Sequence, residues 1–149
     1  MAKCTLNRSK CDSIDIIKIN KKPFLCINKK KLYYCSISHK NGKIAVAINK
    51  EAEIGIDIEK YKMTSTGFQE SIFNSEDCIL SSHILKTSML FCFKEAVYKA
   101  AYGTNVWIQD VIIHEKKQNY LMGFCQGISY IGYYDIMNNY VVCIFQRKE

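Results

Sequence analysis

One stretch of helical periodicity stands in a chain otherwise made of short, strand-like runs. Over residues 82–101 the apolar side chains Leu85, Met89, Phe93, Ala96, Val97 and Ala100 recur at spacings of three and four, the period of one helix face. Gly103 follows as the stop signal expected just beyond a helix end. Upstream, residues 14–19 read as a strand ended by the turn Asn20-Lys21-Lys22-Pro23. Residues 32–38 and 43–49 read as strands flanking His39-Lys40-Asn41-Gly42, whose Asn-Gly pair favours a tight hairpin. Residues 53–60 alternate Ile54, Ile56 and Ile58 with Gly55, Asp57 and Glu59, which predicts a strand with one apolar and one polar face. A polar break at 61–67 precedes a short helix over 68–73, and Ser75 reads as the N-cap of a further helical segment with Glu76 and Asp77 in its first turn. Downstream, strands are predicted over 106–114, 120–125, 128–135 and 140–146, with Asn138-Asn139 at the last hairpin. Strands, one long central helix and strands again predict an α+β domain, the helix packed on a mainly antiparallel sheet.

The chain has 149 residues, 48% of them hydrophobic, with a single proline. That is the composition of one globular domain over 1–149 and excludes disordered and collagen-like classes. The longest apolar runs, such as 44–48, fall short of the ~18 residues needed to cross a bilayer. The first residues are polar and basic, without the apolar core of a secretory signal. A cytoplasmic, reducing setting is therefore expected, and with it eight free cysteines. No pair has the C-x-x-C spacing of a zinc ribbon and no His stands beside a Cys pair. Cys92, between Phe91 and Phe93, typifies thiols used as small buried hydrophobes.

Lysine and arginine number 21 against 14 acids, a formal charge of +7. Charge alone fits nucleic acid, an anionic membrane, a phosphorylated ligand or an acidic protein. The lysine clusters at 18–22, 29–31, 40–43 and 116–117 fall at turns and strand ends rather than along one helical face. No base-stacking platform or nucleic-acid motif accompanies them, so neither nucleic acid nor membrane is expected as a partner.

The chemistry concentrates in one strand and one helix. Asp57 and Glu59 are two residues apart on a strand and share a face, while Glu95 and Lys99 are four apart and share a helix face, with Lys94 and Tyr98 on the neighbouring row. Three carboxylates brought together repel one another unless a cation sits among them, and hard oxygen ligands suit Mg²⁺. Lys99, one turn from Glu95, is then placed to meet phosphate. Taken singly, each residue has a plainer role: Glu95 and Lys99 as an exposed helical pair worth ~0.2–0.5 kcal/mol, Asp57 and Glu59 as the solvated side of an edge strand, His39 as a surface hairpin residue.

Order and spacing change that judgement. Ile54-Gly55-Ile56-Asp57-Ile58-Glu59, followed by Phe93-Lys94-Glu95-Ala96 and Lys99-Ala100, resembles the signature of the 4′-phosphopantetheinyl transferase superfamily. Ser36-Ile37-Ser38-His39 before the strand at 44–48 resembles the family's Ser-His motif, and Lys21-Lys22-Pro23 its Gly-Lys-Pro element with lysine in place of glycine. The resemblance implies the family's fold and transfer of the phosphopantetheine arm of coenzyme A to a serine of an apo acyl or peptidyl carrier protein, releasing adenosine 3′,5′-bisphosphate. It implies that Asp57, Glu59 and Glu95 hold Mg²⁺ and that Asp57, Glu95 and Lys99 form the catalytic set. Deprotonating the carrier serine falls to Glu95 or to a water on the metal. Lys22, Ser38, His39, Lys94 and Lys99 are implied to contact coenzyme A, with Ser38 and His39 at the 3′-phosphate. Phe91 or Phe93 takes the place of an aromatic that is commonly tryptophan, and Trp107 is expected in the core. Glu76 or Asp77 matches an acidic position near the metal.

Length departs from the pattern. Relatives with the Ser-His motif ahead of Asp-x-Glu are commonly two-lobed, and this chain resembles mainly the second lobe with a reduced first one. Self-association as a dimer or trimer is then expected to complete the site. The alternative is a relative that binds coenzyme A or a carrier without turnover.

Overall fold

The computed structural model describes residues 13–20, 22–61, 71–77, 87–101, 106–117 and 119–149. They form two antiparallel sheets and one long helix, α1 (Thr87–Ala101). The α+β class matches expectation, but the strands divide into two sheets rather than one. The first holds β1 (Ile14–Ile19), β2 (Lys22–Ile27), β3 (Lys31–Lys40) and β4 (Lys43–Asn49) in chain order; the second holds β5 (Ile54–Lys60), β6 (Ile112–Lys117), β7 (Tyr120–Cys125), β8 (Ile128–Met137) and β9 (Tyr140–Arg147) in the order β5-β9-β8-β7-β6.

Turn chemistry closes the hairpins. Asn41 and Gly42 have φ of 48° and 74°, and Asn138 and Asn139 have φ of 49° and 63°. Two successive left-handed residues match the twist of the flanking strands, which is why Asn and Gly occupy these positions. Strand β2 is absent from the sequence pattern because Pro23 suggests a turn. The strand tolerates it because only Phe24–Ile27 pairs with β3, so the missing N–H leaves no gap in that ladder.

Other expectations shift. The strand predicted over 106–114 begins instead as a 3-10 turn at Ile108–Asp110, with the Trp107 N–H donating to Asp110 Oδ2 at 2.9 Å. Trp107 is 74% exposed, not in the core. Ser75 starts no helix: Asn74 Oδ1 accepts from the Glu76 N–H and the Asn74 carbonyl from the Asp77 N–H, so a side-chain turn takes the place of the cap. Residues 68–70 of the short helix expected over 68–73, the first turn of the long helix at 82–86, and Gly103 lie outside the described residues, while Ser71 and Ile72 are helical as expected. Cys26, Cys35, Cys92, Cys125 and Cys143 are buried and free, as expected of thiols packed like hydrophobes. No helix among the described residues is long and apolar enough to cross a membrane.

The main core lies between α1 and the second sheet, where Phe93, Ala96, Val97 and Ala100 meet Val111, Ile113, Leu121, Tyr130, Val141, Cys143 and Phe145. The contact is close enough to involve backbone. A Cβ on Gly55 would lie 1.9 Å from the Ala96 carbonyl oxygen and 2.6 Å from the Ala100 nitrogen, so only glycine lets α1 seat on β5. On the opposite side of β5, Ile54 and Ile56 pack with Ala47, Tyr34 and Ala45 of the first sheet.

The two sheets meet through hydroxyls rather than through a ladder. β5 is an edge strand, and its outward N–H groups need partners once buried. Ser36 Oγ accepts from the Ile56 N–H at 3.0 Å and Ser38 Oγ from the Ile58 N–H at 3.4 Å. The alternation Ser36-Ile37-Ser38 on β3 thus matches the alternation of the neighbouring edge.

Candidate functional site

Gly55 brings α1 onto β5, and Asp57 and Glu59 continue along the same side of that strand. They border a cavity of about 340 Å³ together with Ser38, His39, Glu95 and Lys99. Ile37, Lys40 and Phe91 complete its wall. Three elements distant in sequence, β3, β5 and α1, supply every one of these side chains.

Asp57 is the centre of the arrangement. Its residue is 4% exposed. Oδ1 accepts from Ser38 Oγ at 2.7 Å and pairs with Lys99 Nζ at 2.6 Å. Oδ2 is buried and has no hydrogen-bond partner. A buried carboxylate oxygen left unsatisfied costs about 1–3 kcal/mol or more, and in a native protein such an atom calls for a ligand or a mechanistic use.

Glu59 pairs with Lys40 Nζ at 2.8 Å. Burial pushes the Glu95 carboxyl above the ordinary carboxylate range; Lys99 opposes that shift, while the negative charges of Asp57 and Glu59 add to it. Three mutually repelling carboxylates around one cavity, two already drawing on lysines, are the electrostatic setting in which a divalent cation is favoured. Among the described residues no three such groups already converge on one point, and Asp57 and Glu59 are each paired with a lysine. The donor set and the unsatisfied Asp57 oxygen fit a hard cation bound with outside ligands completing its shell, as Mg²⁺ is usually held. Below this layer, burial drives the thiol of Cys92 well up, reinforced by Cys143 and Asp57, so it is no nucleophile at neutral pH.

The remaining candidates separate. Ser38 and His39 lie on the cavity wall, His39 exposed. Lys22 stands elsewhere, paired with Glu53 and donating to the Ala100 carbonyl at 3.4 Å at the C-terminal end of α1. It borders a small crevice that Lys99 also touches. Lys94 is a correction. Its side chain is fully buried, its ammonium 2.8 Å from Asp77 Oδ2 and donating to the Val111 carbonyl at 2.7 Å. A cation sealed in the core cannot reach a ligand in the cavity, so it is removed from the expected coenzyme contacts. Asp77 is committed to the same knot, since its carboxylate also accepts from the Ile113 and Asn74 N–H groups; Glu76 is exposed. Neither borders the cavity.

Two wall residues were open or unmarked in the sequence. Phe91 rather than Phe93 faces the cavity, since Phe93 is fully buried in the main core. Lys40 joins through its pair with Glu59; its signal was the spacing Ser38-x-Lys40 running beside Asp57-x-Glu59.

No curated protein matches the chain. The sequence profile of the 4′-phosphopantetheinyl transferase superfamily matches residues 53–144, a span that contains Asp57, Glu59, Glu95 and Lys99 together with the glycine that seats the helix above them. With the motifs thus gathered on one cavity and the profile spanning more than half of the sequence, the chain belongs to the 4′-phosphopantetheinyl transferase superfamily.

Proposed function

We propose that this protein transfers the 4′-phosphopantetheine arm of coenzyme A to a serine hydroxyl of an apo acyl or peptidyl carrier protein, with Mg²⁺ held by Asp57, Glu59 and Glu95. The observation that carries the reading is the buried, unpartnered Asp57 oxygen beside a cavity bordered by two further carboxylates and a lysine. The serine oxygen forms a bond to the phosphorus that bears the arm, the bond from that phosphorus to the leaving phosphate breaks, and the serine proton passes to a base. Bound Mg²⁺ would supply neutralisation of the pyrophosphate charge.

The chain's own groups carry the rest. Lys99, a quarter exposed, stabilises negative charge on the leaving phosphate once its grip on Asp57 is shared with ligand oxygens. Ser38 holds Asp57 in place through its hydroxyl, and His39 meets the 3′-phosphate from the cavity wall. Glu95, on the cavity wall, takes the serine proton.

The test is mass spectrometry of an apo carrier incubated with the protein, Mg²⁺ and coenzyme A. Addition of the arm's mass is expected, and Asp57→Ala or Glu95→Ala should abolish it. Absence of addition across several apo carriers, with the fold intact by circular dichroism, overturns the reading. Calorimetric coenzyme A binding without transfer would instead identify a binding-only relative.

A further inference from the structure

The two lysines that hold carboxylates at the cavity grip them differently. Lys99 pairs with Asp57 through Oδ1 alone and leaves Oδ2 without a partner. Lys40 spans both oxygens of Glu59, at 3.0 Å from Oε1 and 2.8 Å from Oε2. A divalent cation therefore has an approach to Asp57 at Oδ2 while Lys99 stays in place, but reaches Glu59 only beside an ammonium. Two cations on one carboxylate repel each other, and a partly enclosed site screens that repulsion less than bulk water does. For Glu59 to ligate a metal, Lys40 has to give way.

Lys40 is placed both to hold Glu59 and to leave it. Alternate residues on a strand point the same way, so Lys40 continues the row on which Ser36 and Ser38 accept from the Ile56 and Ile58 N–H groups of β5. That row sets Lys40 against Glu59. β3 ends at Lys40, however, and the hairpin turns at once through Asn41 and Gly42. The Lys40 side chain is 38% exposed and that of Glu59 14%, and an ion pair this open to solvent holds a fold only weakly. The flexible lysine stem allows the ammonium to swing with the backbone fixed. Lys40 and His39 border the same cavity, so a released ammonium stays beside any phosphorylated ligand bound there.

We propose that Lys40 is an exchangeable counter-ion: it neutralises Glu59 until Mg²⁺ takes the carboxylate, and then donates to a phosphate of coenzyme A. The identities of metal and coenzyme rest on the transfer reading; the exchange rests on the geometry of Lys40 and Glu59.

The test is calorimetry of the full chain with Mg²⁺ alone and then with coenzyme A in saturating Mg²⁺. Lys40→Met should tighten Mg²⁺ about three- to fivefold, because a competitor is gone, and weaken coenzyme A about tenfold, because a charge-assisted hydrogen bond is lost. Lys40→Arg, which keeps the charge, should return both affinities toward the wild type, and in a Glu59→Gln background Lys40→Met should no longer tighten Mg²⁺. Should Lys40→Met fail to fold, Lys40→Gln carries the same expectations. A lysine that only fastens β3 to β5 would lower both affinities together with the melting temperature, and that result overturns the proposal, as does unchanged binding of either ligand or a wild-type chain that binds no Mg²⁺. A wild-type chain that shows the opposed shifts on substitution yet adds no arm to any carrier overturns the transfer reading and leaves the exchange standing.

Discussion

Lys94 and Lys99 stand on one helix, each within 2.8 Å of an aspartate oxygen, and yet they belong to different parts of the protein. Five positions separate them, about 140° around the helix axis, so one turns toward the core and the other toward the cavity. Around Lys94 each buried group has a partner: Asp77 binds the ammonium and two backbone N–H groups, and the Val111 carbonyl accepts a second ammonium N–H. Around Lys99 the accounting is incomplete, because its partner Asp57 keeps one buried oxygen without a donor. A closed network holds a fold in place, whereas an open one is available to a ligand. The two pairs look alike as distances and differ in what surrounds them.

The largest expected effect breaks the closed pair. Lys94→Met leaves Asp77 buried without its counter-charge and should cost about 3–5 kcal/mol of stability, measured by urea denaturation. A loss below about 1 kcal/mol would mean that the pair is no more structural than a surface one.

Breaking the open pair should invert the readouts. Lys99→Met is expected to lower the transfer rate by about 10²–10³-fold. Its effect on unfolding should be smaller than that of Lys94→Met, since Lys99 is partly exposed to solvent whereas Lys94 is sealed in the core. If both variants lose stability equally, the distinction between the two lysines fails.

Mg²⁺ sharpens the comparison further. At a hundredfold excess over its dissociation constant it should raise the stability of the wild-type chain by about 2.7 kcal/mol in thermal melts. Lys94→Met should retain that increment, and Asp57→Asn should lose it.

The smallest effect concerns Glu95. Its carboxyl is held above the ordinary range by burial and by Asp57 and Glu59. The folded state therefore binds a proton more tightly than the unfolded state, and stability falls as pH rises between the ordinary carboxylate value and the raised one. In Mg²⁺-free buffer Glu95→Gln removes this penalty and should stabilise the protein at pH 7 by less than about 1 kcal/mol. The gain should vanish below about pH 4, where both states are protonated.

Much of the fold was legible because it depends on local rules. The Asn-Gly and Asn-Asn turns, the alternation of β5 and the three-and-four spacing of α1 each reflect a backbone preference written over a few neighbouring residues. β2 was not legible, since Pro23 in isolation signals a turn and only the shortened pairing with β3 makes it harmless. Trp107 was read as core because large aromatics bury well, but the 3-10 turn that follows it leaves the ring outside. The four residues at the centre of the site, Asp57, Glu59, Glu95 and Lys99, were found through strand and helix spacing, and these spacings survive folding.

The sequence by itself determined which residues share a face: Gly55, Asp57 and Glu59 on one side of a strand, Glu95 and Lys99 on one side of a helix. Periodicity cannot say what that face will meet. Tertiary structure decided that Gly55 would let the helix touch the strand, that Ser36 and Ser38 would satisfy the strand's open edge, and that Phe91 would look into the cavity while Phe93 filled the core. It also decided that Lys94 would be sealed against Asp77. The reason is that burial and pairing depend on elements distant in sequence, and for a charged side chain those two quantities fix whether it supports the fold or remains available to a ligand.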